Sequence, residues 1–465
     1  MFDVRCSMFD VHSLIIRFSW LCLFPFLSSL SNAAYAFSDA TIFQQVRIAS
    51  SPNPVGSGAR AMGMGGAFIA VADDATAASW NPGGLIQLET AEASMVLSRN
   101  RLGAWFSSPA HPEAQGGNPV STSEINYFSL ALPFRFLEKN MAFSLNHQNL
   151  YSLDSNINFD YNLRQSLAPG FDFNFDRNID FKQHGSINSL SPAFCLQLAP
   201  EISLGFTLNL YPRQAGVNRG WENRYESTGT GSLAGDPFSS RAAIKNRYHD
   251  LWGQNLNAGF LWNITDRITI GAVYKTAFKL KGRHDFFYES RVEYPDSPWL
   301  DTQGQASFDE SFSLRFPDSY GLGAACRFSD ELTVSFDAYR TEWKKFAMRD
   351  GQGNVTSPVN GGELGGSGIS ATNQFRFGAE YLWIKYRTII PFRGGFFIDP
   401  EPATNSNEAF YGVGLGTGWM FGNVVVDAAW QFRFGNRVEK DNIEVENASA
   451  DVRQHIFLLS AIVHF

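Results

Sequence analysis

Residues 331–340 read ELTVSFDAYR. Leu332, Val334, Phe336 and Ala338 fall on one face of an extended chain, and Thr333, Ser335 and Asp337 fall on the other. The same period of two recurs on both sides. Ile202, Leu204, Phe206, Leu208 and Leu210 alternate with Ser203, Gly205, Thr207 and Asn209. Val424, Val426, Ala428, Trp430, Phe432 and Phe434 alternate with Asp427, Gln431 and Arg433. Such runs exceed the 5 or 6 residues usual for a soluble strand. They match the roughly 9–11 residues a tilted strand needs to cross a bilayer. Charge on the face opposite the apolar one then belongs in a lumen, which makes the fold an all-β, transmembrane, antiparallel β-barrel.

Connections support this. Strands are expected at 91–106, 123–136, 139–153, 183–199, 201–212, 248–263, 266–280, 306–328, 331–344, 373–386, 388–398, 410–421, 423–434 and 452–465. That is about 14, with 306–328 read as one strand bent at Pro317, where a proline is tolerated; splitting it would give 15. Long connections (107–122, 154–182, 213–247, 281–305, 345–372, 399–409, 435–451) alternate with short ones such as Ser329-Asp330 and Gly422. Long outer loops and short periplasmic turns are the expected asymmetry of such barrels. Phe457, Leu459, Ala461 and Val463 lead to a terminal Phe465, as outer-membrane strands end.

Composition agrees. Of 465 residues, 18% are charged and 15% aromatic, with 41 glycines; the low charge and high aromatic content exclude a disordered chain. A net charge of −8 argues against a nucleic-acid partner. Mean hydropathy is −0.17, and past residue 36 no apolar run approaches the length of a spanning helix. Residues 1–36 read as a secretory signal: Arg17, an apolar stretch from Ser19 to Leu30, then Ala34-Tyr35-Ala36 as cleavage site. Met8 offers a second start. Cys195 and Cys326 remain in the mature chain, and two cysteines form no disulfide framework; whether they pair stays open.

Residues 37–90 differ from the barrel, 91–465. They are rich in Gly, Ala and Asp, and 58–85 read GARAMGMGGAFIAVADDATAASWNPGGL. Gly56 to Ala61 fits a dinucleotide fingerprint, but no apolar strand precedes it. Asp73 and Asp74 read as a helix cap rather than a cation site, and Asn81-Pro82-Gly83 as a turn. Taken whole, the segment resembles the FadL-type family of outer-membrane transporters for long-chain fatty acids, which includes aromatic hydrocarbon channels. The resemblance rests on Gly63-Met64-Gly65-Gly66-Ala67, Ala72-Asp73-Asp74-Ala75 and Asn81-Pro82-Gly83, with Gly83 where the family usually has Ala. Phe316-Pro317-Asp318, Thr341-Glu342-Trp343, Pro391 to Gly395 and Phe397 to Pro402 are similar to it as well.

The resemblance implies a 14-stranded barrel with its N-terminal segment folded inside as a plug, capture of substrate by outer loops, a lumenal pocket, and exit through the wall into the membrane. The plug or gate residues expected on this basis are Asn81, Pro82 and Gly83, with Trp80 and Phe68 packing beside them. Phe159, Tyr161, Phe171, Phe173 and Phe175, with Arg164, crowd one outer connection. Two readings stay open: an exposed surface that captures ligand, or packing on neighbouring loops or lipopolysaccharide. Likewise Arg164 attracts a carboxylate or pairs with Asp160, Asp172 or Asp176.

Catalysis is not expected. The histidines of the expected mature chain, His111, His147, His184, His249, His284, His455 and His464, show no metal spacing, and there is no G-x-S-x-G elbow. No metal and no cofactor is expected. The expected partners are a hydrophobic, fatty acid-like molecule and outer-membrane lipid, with the chain a monomer. Two other functions compete: a general porin for polar solutes, which a 54-residue plug would block, and a barrel partner or shuttle protein of a secretion system.

Overall fold

The computed structural model describes residues 45–465 apart from 49, 50, 54, 118, 214–216, 219, 386, 387, 441–444 and the side chain of Leu167. The expected signal, 1–36, and the first residues of the 37–90 segment lie outside the described residues. Among the described residues twenty strands run along the chain. They are β1 (Glu92–Ser107), β2 (Val120–Phe136), β3 (Lys139–Ser152), β4 (Ser155–Ala168), β5 (Phe171–Ala199), β6 (Ile202–Tyr211), β7 (Gly220–Leu233), β8 (Asp236–Asn263), β9 (Ile268–Lys275) and β10 (Phe278–Glu293). Then come β11 (Thr302–Phe316), β12 (Ser319–Arg327), β13 (Leu332–Thr341), β14 (Ala347–Arg349), β15 (Val355–Thr356), β16 (Thr372–Lys385), β17 (Thr388–Ile398), β18 (Tyr411–Phe421), β19 (Val424–Val438) and β20 (Ser449–His464).

Fourteen of these close an antiparallel barrel in the order β1, β2, β3, β5, β6, β8, β9, β12, β13, β16, β17, β18, β19, β20. The seam is made by β20 on β1, in register from Glu92↔His464 to Ser107↔Ser449. Closure leaves no edge strand, as a sheet in lipid requires.

Side-chain alternation sorts the two faces in the sense opposite to a soluble protein. Phe336 is 47% exposed while its neighbour Asp337 is 0% exposed; Leu208 is 39% exposed beside Thr207 at 1%. Apolar residues face lipid and polar ones face the lumen. Phe136, Phe328, Trp419, Phe421 and Phe465 are exposed at the short-turn end. At the other end stand Trp105, Trp252, Tyr274, Tyr320 and Tyr411, so aromatic girdles mark both interfaces.

The outer side departs from the loops expected there. The connections 154–182, 213–247 and 281–305 are strands: β4, the outer half of β5, β7, the outer half of β8, β10, β11, β14 and β15 pair in that order. The wall is thus prolonged outward on one side. β5 pairs with β3 over residues 186–196 and with β7 over residues 173–186. The wall breaks where these neighbours change, at Leu153-Asp154, Thr276-Ala277 and Pro317-Asp318. Pro317 has no N–H to give to a ladder, and the bend expected there separates β11, in the outer sheet, from β12, in the barrel.

Candidate functional site

Residues 55–91 run inside the barrel. Two short helices, α1 (Ala59–Gly63) and α2 (Ala77–Trp80), precede a 3-10 turn over Pro82–Gln87. Asn81 starts that turn by accepting a hydrogen bond from Gly83 N–H at 3.0 Å, with Pro82 at its first position. Asp74 accepts from the backbone and hydroxyl of Thr76, the residue before α2, at 2.8 and 2.6 Å. Asp73 instead pairs with Arg60 at 2.5 Å. Trp80 and Phe68 are fully buried with ring centroids 5.9 Å apart, and the Trp80 indole N–H donates to Ser57 O at 2.6 Å. The expected gate residues therefore lie together within this segment.

The lumenal face of the wall holds the segment by its main chain. The Asp337 carboxylate accepts from the N–H groups of Phe68 and Ile69 at 2.7 and 2.9 Å. Ser335 donates to Ala67 O at 2.7 Å, Arg376 to Gly65 O at 2.9 Å, Thr207 to Ala78 O at 2.9 Å and Ser203 to Gly83 O at 2.7 Å. Lys275 donates to Ser79 O at 3.2 Å, while Ser460 and Glu92 accept from Ala59 and Ala75 N–H at 2.7 and 2.9 Å. Asn81 Nδ2 bridges Ile69 O and Phe260 O, both at 2.9 Å. These partners come from β1, β6, β8, β9, β13, β16 and β20. Two wall glycines show how close the approach is: a Cβ at Gly205 would collide with Pro82 and Gly83, and one at Gly395 with Met64. Cys195 Sγ donates to Gly83 O at 3.3 Å; Cys195 and Cys326 are free thiols.

A buried ionic ladder ties the segment to three further places on the wall. Arg60 meets Glu380 at 2.9 Å, Glu380 meets Arg393 at 2.5 Å, and Arg393 meets Asp427 at 2.6 Å. A second group lies on its outer side: Arg433 contacts Asp399 at 3.2 Å and Glu401 at 2.6 Å. Asp399 also accepts from Asn53 at 2.8 Å, and Trp343 donates to the same Asn53 at 2.9 Å. The stretches around Pro391, Phe397 and Thr341 thus meet at the inner segment or at Asn53, just before it.

Beyond it an aromatic stack crosses from wall to wall. Tyr211 stacks on Phe278 at 4.8 Å, Phe278 on Phe316 at 4.7 Å, and Phe316 on Tyr151 at 4.9 Å. Trp343 and Phe346 complete the layer, with Phe346 5.0 Å from Phe316. Farther out, Phe159, Tyr161, Phe173 and Phe175 are buried, not exposed as a capture surface requires; Phe171 alone of the five is half-buried. Alternation along β4 and β5 turns them inward, where Phe173 stacks on Phe238 at 5.8 Å and Arg177 lies 5.0 Å from the Tyr161 ring. Arg164 is exposed and pairs with Asp176. In the same outer sheet His284 stacks on Tyr248 at 4.3 Å, and burial lowers its pKa against the opposing pull of Glu310.

A cavity lies between the wall and the outer side of the inner segment. Val55, Met62, Leu150, Phe397, Ile456 and Leu458 give it an apolar side. Ser98, Asn100, Glu124, Gln148, Asn149 and Gln431 give it a polar one, with Arg376, Arg433 and Asp399 beside them. Sequence reasoning names none of these as site residues, although Phe397 and Asp399 fall in the family-like stretch Phe397 to Pro402. Arg376, Gln431 and Arg433 sit on the polar faces of alternating strands, and that was their one signal.

The family model for outer membrane protein transport proteins (OMPP1/FadL/TodX) matches residues 52–461. Among solved structures, a FadL homologue of Pseudomonas aeruginosa is 16% identical, over 88% of this chain and 98% of its own, with a TM-score of 0.53. The monoaromatic hydrocarbon channel CymD is 15% identical over 89% and 98%, with a TM-score of 0.52. The toluene transporter TodX of Pseudomonas putida is 13% identical over 90% and 100%, with a TM-score of 0.51. At these identities the likeness is one of fold. No curated protein matches the sequence.

Proposed function

The chain belongs to the OMPP1/FadL/TodX family of outer membrane transport proteins, and we propose that it passes hydrophobic small molecules, long-chain fatty acids or related hydrocarbons, through its barrel by passive diffusion gated by the inner segment. It is a protein of the bacterial outer membrane and a channel, not an enzyme. In this reading residues 1–36 direct export and are removed, 37–90 form the plug, and 91–465 form a monomeric barrel set in outer-membrane lipid.

The observation that carries the reading is the pairing of an obstructed lumen with an apolar-sided cavity. A general porin needs an open aqueous path, whereas here residues 55–91 are tied to seven strands of the wall, through the main chain and, at Asn81, a side chain. An apolar molecule gains about 0.8 kcal/mol for each CH₂ it buries, so such a cavity receives it with profit. Release then needs the segment to change position. Hydrogen bonds to main-chain groups suit that task, because each is worth only about 1 kcal/mol net when water can replace it. That relatives of this fold are a toluene transporter and a monoaromatic hydrocarbon channel agrees with an apolar cargo.

Mass spectrometry of lipids and hydrocarbons retained by the purified protein, followed by saturation binding of a labelled hydrophobic ligand, tests the proposal. Saturable binding supports it. Absence of any bound ligand, with a second protein copurifying in fixed ratio, would favour the secretion-partner reading.

A further inference from the structure

The proposal above leaves open which apolar molecules the cavity prefers, and its polar side bears on that. Two guanidinium groups line it, Arg376 and Arg433, and the positive charge of each already faces Asp399. Arg433 is held by Asp399 and Glu401, and Arg376 donates to Gly65 O at 2.9 Å with Asp399 at 3.9 Å. Glu124 adds a third carboxylate, partnered by the Asn149 amide and by no cation among the described residues. Both cations thus already face carboxylates, and an ionised fatty-acid head entering here would find no unshared counter-charge.

Two donors nevertheless lack acceptors. Arg376 Nε and Gln431 Nε2 are buried and have no hydrogen-bond partner among the described residues, although their side chains are 2% and 3% exposed. Buried donors are ordinarily satisfied, and an exception asks for an explanation. Both line the same cavity, whose other side is Val55, Met62, Leu150, Phe397, Ile456 and Leu458.

We infer that this cavity binds apolar molecules carrying one uncharged oxygen acceptor (an alcohol, aldehyde, ketone or ester), which receives hydrogen bonds from Gln431 and Arg376 while the hydrocarbon lies on the apolar side. The inference rests on the reading that the barrel takes apolar cargo, and narrows it. It has a mechanical corollary: Arg376 also holds the Gly65 carbonyl of the inner segment, so one side chain touches both the guest and the gate.

The test compares three probes of equal chain length, 1-decanol, decanoate and decane, with the full-length mature protein in lipid nanodiscs, subtracting uptake by empty discs. 1-Decanol is expected to bind saturably and more tightly than either of the others. Gln431→Leu should weaken 1-decanol about three- to tenfold, the worth of one hydrogen bond, and leave decane unchanged. Gln431→Met serves if the leucine variant fails to fold. Glu124→Gln should strengthen decanoate, since it removes the unpaired carboxylate. Decanoate or decane binding as tightly as 1-decanol, or 1-decanol affinity untouched in both Gln431 variants, overturns the inference while leaving hydrophobic transport standing. Saturable binding of none of the three overturns both.

Discussion

The inner segment and the inward face of the outer sheet both bury apolar side chains, yet the ties that add to this burial differ. Residues 55–91 are fixed by side chains of the wall that reach main-chain N–H and C=O groups, as Asp337 does to Phe68 and Ile69. The outer sheet is fixed by its own strand ladder and, against the barrel, by aromatic area, as Phe278 and Phe316 stack with Tyr211 of β6 and Tyr151 of β3. A hydrogen bond can be exchanged for water at little net cost, whereas an aromatic ring pulled from its neighbours loses its burial outright. On the gating reading proposed above, the comparison sets a part whose polar ties water can replace against a part whose contacts it cannot.

Removing one part entirely gives the largest contrast. Deleting residues 37–85 should leave a folded barrel that passes a large, steady ionic current in planar bilayers, where the full-length protein passes little. A deletion mutant as closed as the parent would show that the segment does not obstruct the lumen.

Asp337→Ala strips the acceptor from two buried N–H groups, at about 1–3 kcal/mol for each donor left bare. Hydrogen exchange at Phe68 and Ile69 should accelerate accordingly, with exchange in β4, β7 and β10 unchanged. Phe316→Ala is the converse. It should cost about 3–5 kcal/mol, read as faster exchange in β10 and β11, and leave Phe68 and Ile69 as slow as before. Coupling of either substitution to the opposite region would dissolve the distinction drawn here.

The strands were legible because lipid enforces a strict period of two. Each stretch such as 202–210 or 331–340 carries its apolar face outward and its polar face inward, so the count of fourteen could be read; the single bent strand expected over 306–328 is instead two strands, β11 and β12, parted at Pro317. The outer strands carry the same alternation, with Ile157, Phe159 and Tyr161 on one face of β4 and Phe173, Phe175 and Ile179 on one face of β5. Length alone places them on the outside, where loops are the rule, and so the sequence points to loops there. Burial of those rings follows from the pairing of β4, β5 and β7, which no local pattern specifies. The lumenal partners were the least legible. Asp337 stands 269 residues from Phe68, and Arg376 stands 311 from Gly65, so only the closed barrel brings them together.

The smallest expected effect is on pH dependence. Burial lowers the pKa of His284 in the outer sheet, against the attraction of Glu310, Asp285 and Asp309. A folded imidazole that stays neutral where the unfolded chain takes a proton contributes fully above the ordinary value of 6.5, and its contribution falls as pH drops below that value. The thermal stability of the outer sheet should therefore fall between pH 7 and about pH 5.5. His284→Phe should flatten that slope, and an unchanged slope would assign it to other groups.

The central claim is that the inner segment confers selective passage on hydrophobic molecules. Uptake of labelled apolar molecules of graded chain length into proteoliposomes, with the full-length mature barrel beside the 37–85 deletion, tests it most directly. The account predicts saturable, chain-length-dependent uptake by the full-length protein and loss of both properties in the deletion. A deletion mutant that keeps saturable uptake with the same chain-length preference would contradict it.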